Sequence, residues 1–69
     1  MKYYLIFGRN RHIFKSYYTI AKNMSEAKQN FYINGGDKII NVYNITKKQY
    51  CNDNEICMYE LDKLYLLKP

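Results

Sequence analysis

A chain of 69 residues makes one domain, close to the size at which a single core only just outweighs chain entropy. Hydrophobic content of 48% excludes a disordered chain, and the sequence has no apolar run long enough to span a bilayer. Net charge of +5 and a pI near 9.3 favour a polyanion or an acidic protein face as partner, but the basic residues are spread along the chain rather than clustered.

Nine tyrosines are more telling than the charge. Each buried phenol needs a hydrogen-bond partner, so a small core leaves several of them at the surface. Asn, Ile, Lys and Tyr together make up about half of the chain. All four have AT-rich codons, which points to a low-GC bacterium, its phages or certain archaeal viruses. Lys2 is followed by only five apolar residues before Gly8 and Arg9, too few for a signal-peptide core, so a cytoplasmic location is expected (that of the host cell if the gene is viral).

In chain order, Lys2 to Phe7 reads as a strand, with Tyr3, Leu5 and Phe7 on one face and Lys2, Tyr4 and Ile6 on the other. Gly8 to Arg11 reads as a tight turn, because Gly and Asn tolerate positive φ. His12 to Ala21 is the second strand, dividing into Phe14, Tyr18 and Ile20 on one side and Ile13, Lys15, Tyr17 and Thr19 on the other.

A helix follows, capped by Asn23 with Glu26 in capping-box position, or by Ser25 two residues later. Met24, Ala27 and Phe31 form its apolar stripe, and Gly35-Gly36 ends it. The β-branched run Ile39, Ile40, Val42, Tyr43 and Ile45 is the third strand. The span between strands two and three accommodates a crossover helix, so those two run parallel and the first strand lies between them. The expected fold is therefore α+β, a small ββαβ(α) domain: a three-stranded sheet in order 2-1-3, antiparallel along its central strand, with one helix on a face.

The last segment reads as a helix capped at Asn52 or Asp53, with Ile56, Tyr59, Leu64 and Leu67 along one side. A strand over the Leu64–Leu67 run is the alternative.

Candidate chemistry is sparse. Cys51 and Cys57 are the only cysteines and the single histidine is distant, so the residues do not make a zinc site, and two reduced thiols are expected. His12 stands among Arg9, Arg11 and Lys15. An acid/base group beside phosphate-binding arginines is the sharp reading, and an exposed turn is the leading one. No cofactor motif is present.

With one helix on one face, the other face is expected to show Tyr4, Ile6, Ile13, Lys15, Tyr17 and Tyr43. Together with Arg9, Arg11 and His12 of the hairpin, these are the candidate binding residues. Aromatic and basic residues on an open sheet suit a protein partner, a second copy in a homodimer, or single-stranded nucleic acid. The nucleic-acid reading stands second, because the sequence pattern of RRM domains is missing. A covering C-terminal segment is the structural alternative.

The strand hairpin, Tyr18-Thr19-Ile20-Ala21 leading into Asn23-Met24-Ser25-Glu26-Ala27, and the β-branched strand after them resemble many small phage proteins, among them anti-CRISPR and other anti-defence inhibitors. The likeness covers the layout of most of the chain and no specific motif. It implies a partner class: a non-catalytic inhibitor that docks on an acidic protein surface or a nucleoprotein complex. Inhibitors that mimic DNA are acidic, and this chain is basic.

Overall fold

The computed structural model describes residues 1–61. Strands β1 (Lys2–Asn10) and β2 (Ile13–Ala21) form a hairpin, helix α1 (Met24–Ile33) crosses over, and strand β3 (Gly36–Ile45) returns to the sheet. Helix α2 (Lys47–Asp53) follows, and a further helical turn begins at Met58. The sheet has the order β2-β1-β3, with β1 antiparallel to both neighbours, as the crossover argument requires.

The hairpin is longer than the glycine suggested. Gly8 and Arg9 stay in the ladder, paired with Lys15 and Phe14, so β1 continues to Asn10. The chain reverses over Arg11 and His12 alone, both with positive φ (52° and 70°). A two-residue loop with both residues left-handed has the backbone twist that antiparallel strands favour. Ladder pairing thus outweighs the local preference of Gly8.

Helix α1 starts at Asn23, whose side chain accepts a hydrogen bond from the Glu26 N–H at 2.9 Å. Glu26 returns its bond to the Lys22 N–H, one residue earlier than in a standard capping box. The helix ends at Asn34, and Gly35 takes the left-handed conformation (φ 97°) that a side chain there would resist.

The core lies between α1 and the sheet. Ala27 and Phe31 face Tyr4, Ile6 and Ala21, with Tyr17, Ile39 and Val42 packed at its edge. The Phe31 ring lies over Gly8 on the central strand. Full burial of a phenylalanine is worth roughly 2–3 kcal/mol, so this one side chain carries a substantial share of the stability of so small a domain.

The C-terminal expectation is corrected. The helix after β3 begins at Lys47, capped by the Thr46 hydroxyl accepting from the Gln49 N–H at 3.0 Å. Asn52 and Asp53 lie in its last turn rather than at a cap. Thr46 precedes Gln49 by three residues, which is a capping signal of the same kind as Asn23 and Glu26. Leu61 is buried, whereas Leu64 and Leu67 lie outside the described residues.

Candidate functional site

On β1 and β2 the division of residues into two sheet faces is as the alternation predicts, but α1 covers the opposite face from the expected one, and Tyr43 of β3 falls on the other face from Tyr4 and Ile6. Tyr4 and Ile6 are buried beneath it, and Tyr17 is half-buried with its ring edge-on to Phe31 (centroids 5.8 Å apart, 71° between planes). The Tyr17 hydroxyl accepts a hydrogen bond from Asn34 Nδ2 at 3.0 Å. These three residues therefore do not form an open binding face. Period-two alternation says which side chains share a face, not which face the helix takes. Here the choice follows shape and polarity: bare Gly8 leaves room for Phe31, and Thr19 offers its hydroxyl to Asn30 Nδ2 at 2.9 Å.

The other expected residues are scattered. Ile13 and Lys15 are exposed near the hairpin, on the side of Tyr17. Tyr43 is exposed but pairs with Leu5, which puts it on the face opposite Tyr4 and Ile6. Arg9 reaches across to β3, its Nε donating to Asp37 Oδ1 at 2.9 Å. Arg11 and His12 form the exposed turn.

The second face, away from α1, carries Tyr3, Leu5, Phe7 and Arg9 on β1. Register places Ile20, Tyr18, Ser16 and Phe14 beside them on β2, and Ile45, Tyr43, Asn41 and Lys38 on β3. Helix α2 docks on the first rows only. Its Tyr50 ring lies 5.4 Å from Tyr3 and 6.0 Å from Tyr18, and the Tyr18 hydroxyl donates to Asp53 Oδ2 at 2.7 Å. Beyond that helix the aromatic surface continues. Phe7 and Phe14 stack with centroids 6.4 Å apart and planes 26° from parallel, and they remain 38% and 55% exposed, with Tyr43 at 49%. Sequence reasoning set Phe7 and Phe14 towards the core. Their neighbour Gly8 was the available signal, since a side-chain-free position on the alternate face marks where a bulky helix residue must land.

Charge is concentrated at the same end. Arg9, Arg11, His12 and Lys38 lie at this end with one carboxylate, Asp37, while Lys15 is on the α1 side of β2. The Arg9 guanidinium holds that carboxyl below its ordinary range, helped by the Arg11 backbone N–H and the charge of His12, with burial opposing. One carboxylate offsets one guanidinium, which leaves a net positive rim around the Phe7–Phe14 stack.

A groove of about 410 Å³ runs between α1 and β3, lined by Met24, Lys28 and Tyr32 of the helix and by residues 39–42 of the strand. Cys51 is buried and Cys57 exposed, both as free thiols. Among the described residues no cluster of His, Cys, Asp and Glu has the make-up of a metal site, and no helix is long and apolar enough to cross a membrane. No protein-family model, curated protein or solved structure matches the chain.

Proposed function

We propose that this protein is a non-catalytic protein-binding module whose contact surface is the aromatic end of the second sheet face. The exposed Phe7–Phe14 stack supports this reading most directly. Two phenylalanines and Tyr43 at the surface of a domain with so small a core are costly to leave in water, and aromatic anchors within a polar rim are the usual energetic centre of a protein interface. The rim residues Arg11 and Lys38 suit a partner whose apolar patch is edged with carboxylates. Such a module acts by occupying its partner's surface, in the manner of the small phage inhibitors its layout resembles.

Single-stranded nucleic acid is the second reading, favoured by the stacked rings beside Arg9 and Lys38. It ranks lower because Arg9 is already paired with Asp37, and the flanking residues Ser16 and Asn41 are neutral. A backbone track needs several cations along its length.

Titration of a labelled single-stranded oligonucleotide at two salt concentrations, with wild type and Phe14→Ser, separates the two. Weak, salt-sensitive binding that Phe14→Ser leaves unchanged is expected. Submicromolar binding at physiological salt, lost in Phe14→Ser, would replace the protein-binding reading with the nucleic-acid one. A photo-crosslinking residue at position 14, expressed in the native cell, should capture a protein that is lost when Phe7 is replaced by Ser.

A further inference from the structure

A second surface, independent of the aromatic face, is built for a different mode of contact. Strand β3 is an edge strand ten residues long, so one side of its backbone is unpaired by any described residue. Proteins ordinarily blunt such edges with charge, proline or brevity. From Ile39 to Ile45 this edge has none of these: the run Ile-Ile-Asn-Val-Tyr-Asn-Ile contains no charged residue and no proline. One of the two register shifts that bend β3 falls inside this run, where Phe7 pairs with Asn41 and Gly8 with Ile39 and Ile40 is left over, and the other leaves over Asp37. The stretch Val42 to Ile45 pairs regularly with β1 and is the unblunted part of the edge.

Helix α1 makes the edge into a groove. On its β2 side the helix is stitched down by Asn30 to Thr19 and Asn34 to Tyr17. On its β3 side the residues Met24, Lys28 and Tyr32, spaced four apart on one stripe, stand clear of the strand and leave the cavity of about 410 Å³. Met24, Tyr32 and Ile40 are 43%, 50% and 43% exposed, so apolar side chains stand open in its walls beside the polar Lys28 and Asn41. An unpaired strand edge beside a helix, with an open slot between, is the geometry in which an extended peptide adds as a further strand: main-chain bonds give affinity and the slot accepts alternate side chains.

We propose that the β3 edge and the α1–β3 groove bind an extended peptide segment as a fourth strand, one with apolar residues at alternate positions and a carboxylate that reaches Lys28. Among the described residues, Lys28 is the one charged residue lining the groove, and no carboxylate lines it. That charge also decides against a second copy of this chain. Pairing of two β3 edges would bring together two Lys28-bearing grooves, with no carboxylate among their described lining residues, on molecules that each carry +5.

The test is an NMR titration of the ¹⁵N-labelled protein with eight-residue peptides carrying Val or Ile at every second position and Glu, Gln or Lys at the fourth. The Glu peptide should shift the amides of residues 39–45 and of Met24, Lys28 and Tyr32, and leave Phe7 and Phe14 unmoved. It should bind more tightly than the Lys peptide by about three- to fivefold, as an exposed ion pair allows, and Lys28→Glu should reverse the order. Methylating the backbone nitrogens of the peptide should abolish binding. Shifts on the Phe7–Phe14 face alone, no shift with any peptide at millimolar concentration, or a Lys28→Glu variant with unchanged preference would each overturn the proposal. Concentration-dependent shifts of residues 39–45 without peptide, with a dimer in sedimentation, would assign the edge to a second copy instead.

Discussion

The ring of Phe31 rests on the backbone of Gly36, so close that a Cβ on that glycine would overlap it. The helix that carries Phe31 and the strand that begins at Gly36 are separated by only the Asn34-Gly35 turn, and the contact sets how tightly the crossover closes. Phe31→Ala should cost roughly 3–5 kcal/mol, most or all of the stability of a domain this size. Gly36→Ala, which at an unhindered site would stabilise by restricting the unfolded chain, should instead destabilise by about 1–3 kcal/mol. Chemical denaturation measures both, and a Gly36→Ala variant as stable as wild type would mean that the ring does not hold this position.

Asn30 ties the other side of the helix to the sheet. Its side-chain amide donates to the Thr19 hydroxyl, and Thr19 is the one buried polar residue among those described. Asn30→Leu leaves that hydroxyl without its partner and should cost about 1–3 kcal/mol, whereas Asn30→Leu with Thr19→Val removes both polar groups and should recover most of the loss. A double variant no more stable than the single one would show that the bond is incidental.

Most of the fold was legible in the sequence because its signals are local. The Asn23–Glu26 cap, the Gly35 stop and the crossover length give the helix and the strand order without tertiary information. The binding face was not legible, because it depends on which side of the sheet α1 takes. Alternation assigns Tyr4 and Ile6 to one face and Phe7 to the other with equal clarity whichever is covered. What decides is a fit of volumes, Phe31 over Gly8, together with the Asn30–Thr19 bond, and both join residues distant in sequence. Thr46 is different: its capping signal was readable, and the capping residues Asn52 and Asp53 further on drew the helix start to the wrong place.

The two cysteines should behave differently. Cys57 is exposed and should react with a thiol reagent at once, while Cys51, 2% exposed, should react only as the protein unfolds. Cys57→Ser should be neutral. Cys51→Ser buries a hydroxyl where a thiol was and should cost about 1–3 kcal/mol. Equal labelling rates for the two thiols would show that α2 does not shield Cys51 in solution.

Two polar contacts carry opposite pH signatures. The Arg9 hydrogen bond lowers the Asp37 pKa, with further help from the Arg11 backbone and His12, so the stability it adds is present above about pH 4 and lost as pH falls through the folded value. The Tyr18 pKa is raised, first by its hydrogen bond to Asp53, then by burial and the Asp53 charge. That contribution is full below about pH 10 and is lost as pH rises through the folded value. The stability gap between wild type and Asp37→Asn should therefore close in acid, and that between wild type and Tyr18→Phe should close in alkali. Gaps that stay constant across both ranges would place these contacts outside the folding equilibrium.

The hairpin tip exposes a conflict between stability and the proposed surface. Arg11 and His12 both hold positive φ, a conformation that Asn and Gly adopt at little cost and that other residues adopt at roughly 1–2 kcal/mol each. Neither side chain is buried, so core packing does not explain their presence. The Arg11 charge instead extends the basic rim beside Phe7 and Phe14. Arg11→Asn with His12→Gly should raise stability by about 1–2 kcal/mol while weakening partner capture and making it less sensitive to salt. A melt at or below the wild-type temperature would show that the tip is unstrained. Undiminished capture with a higher melt would show that these two positions are strained but do not serve the interface, and would confine it to the aromatic stack.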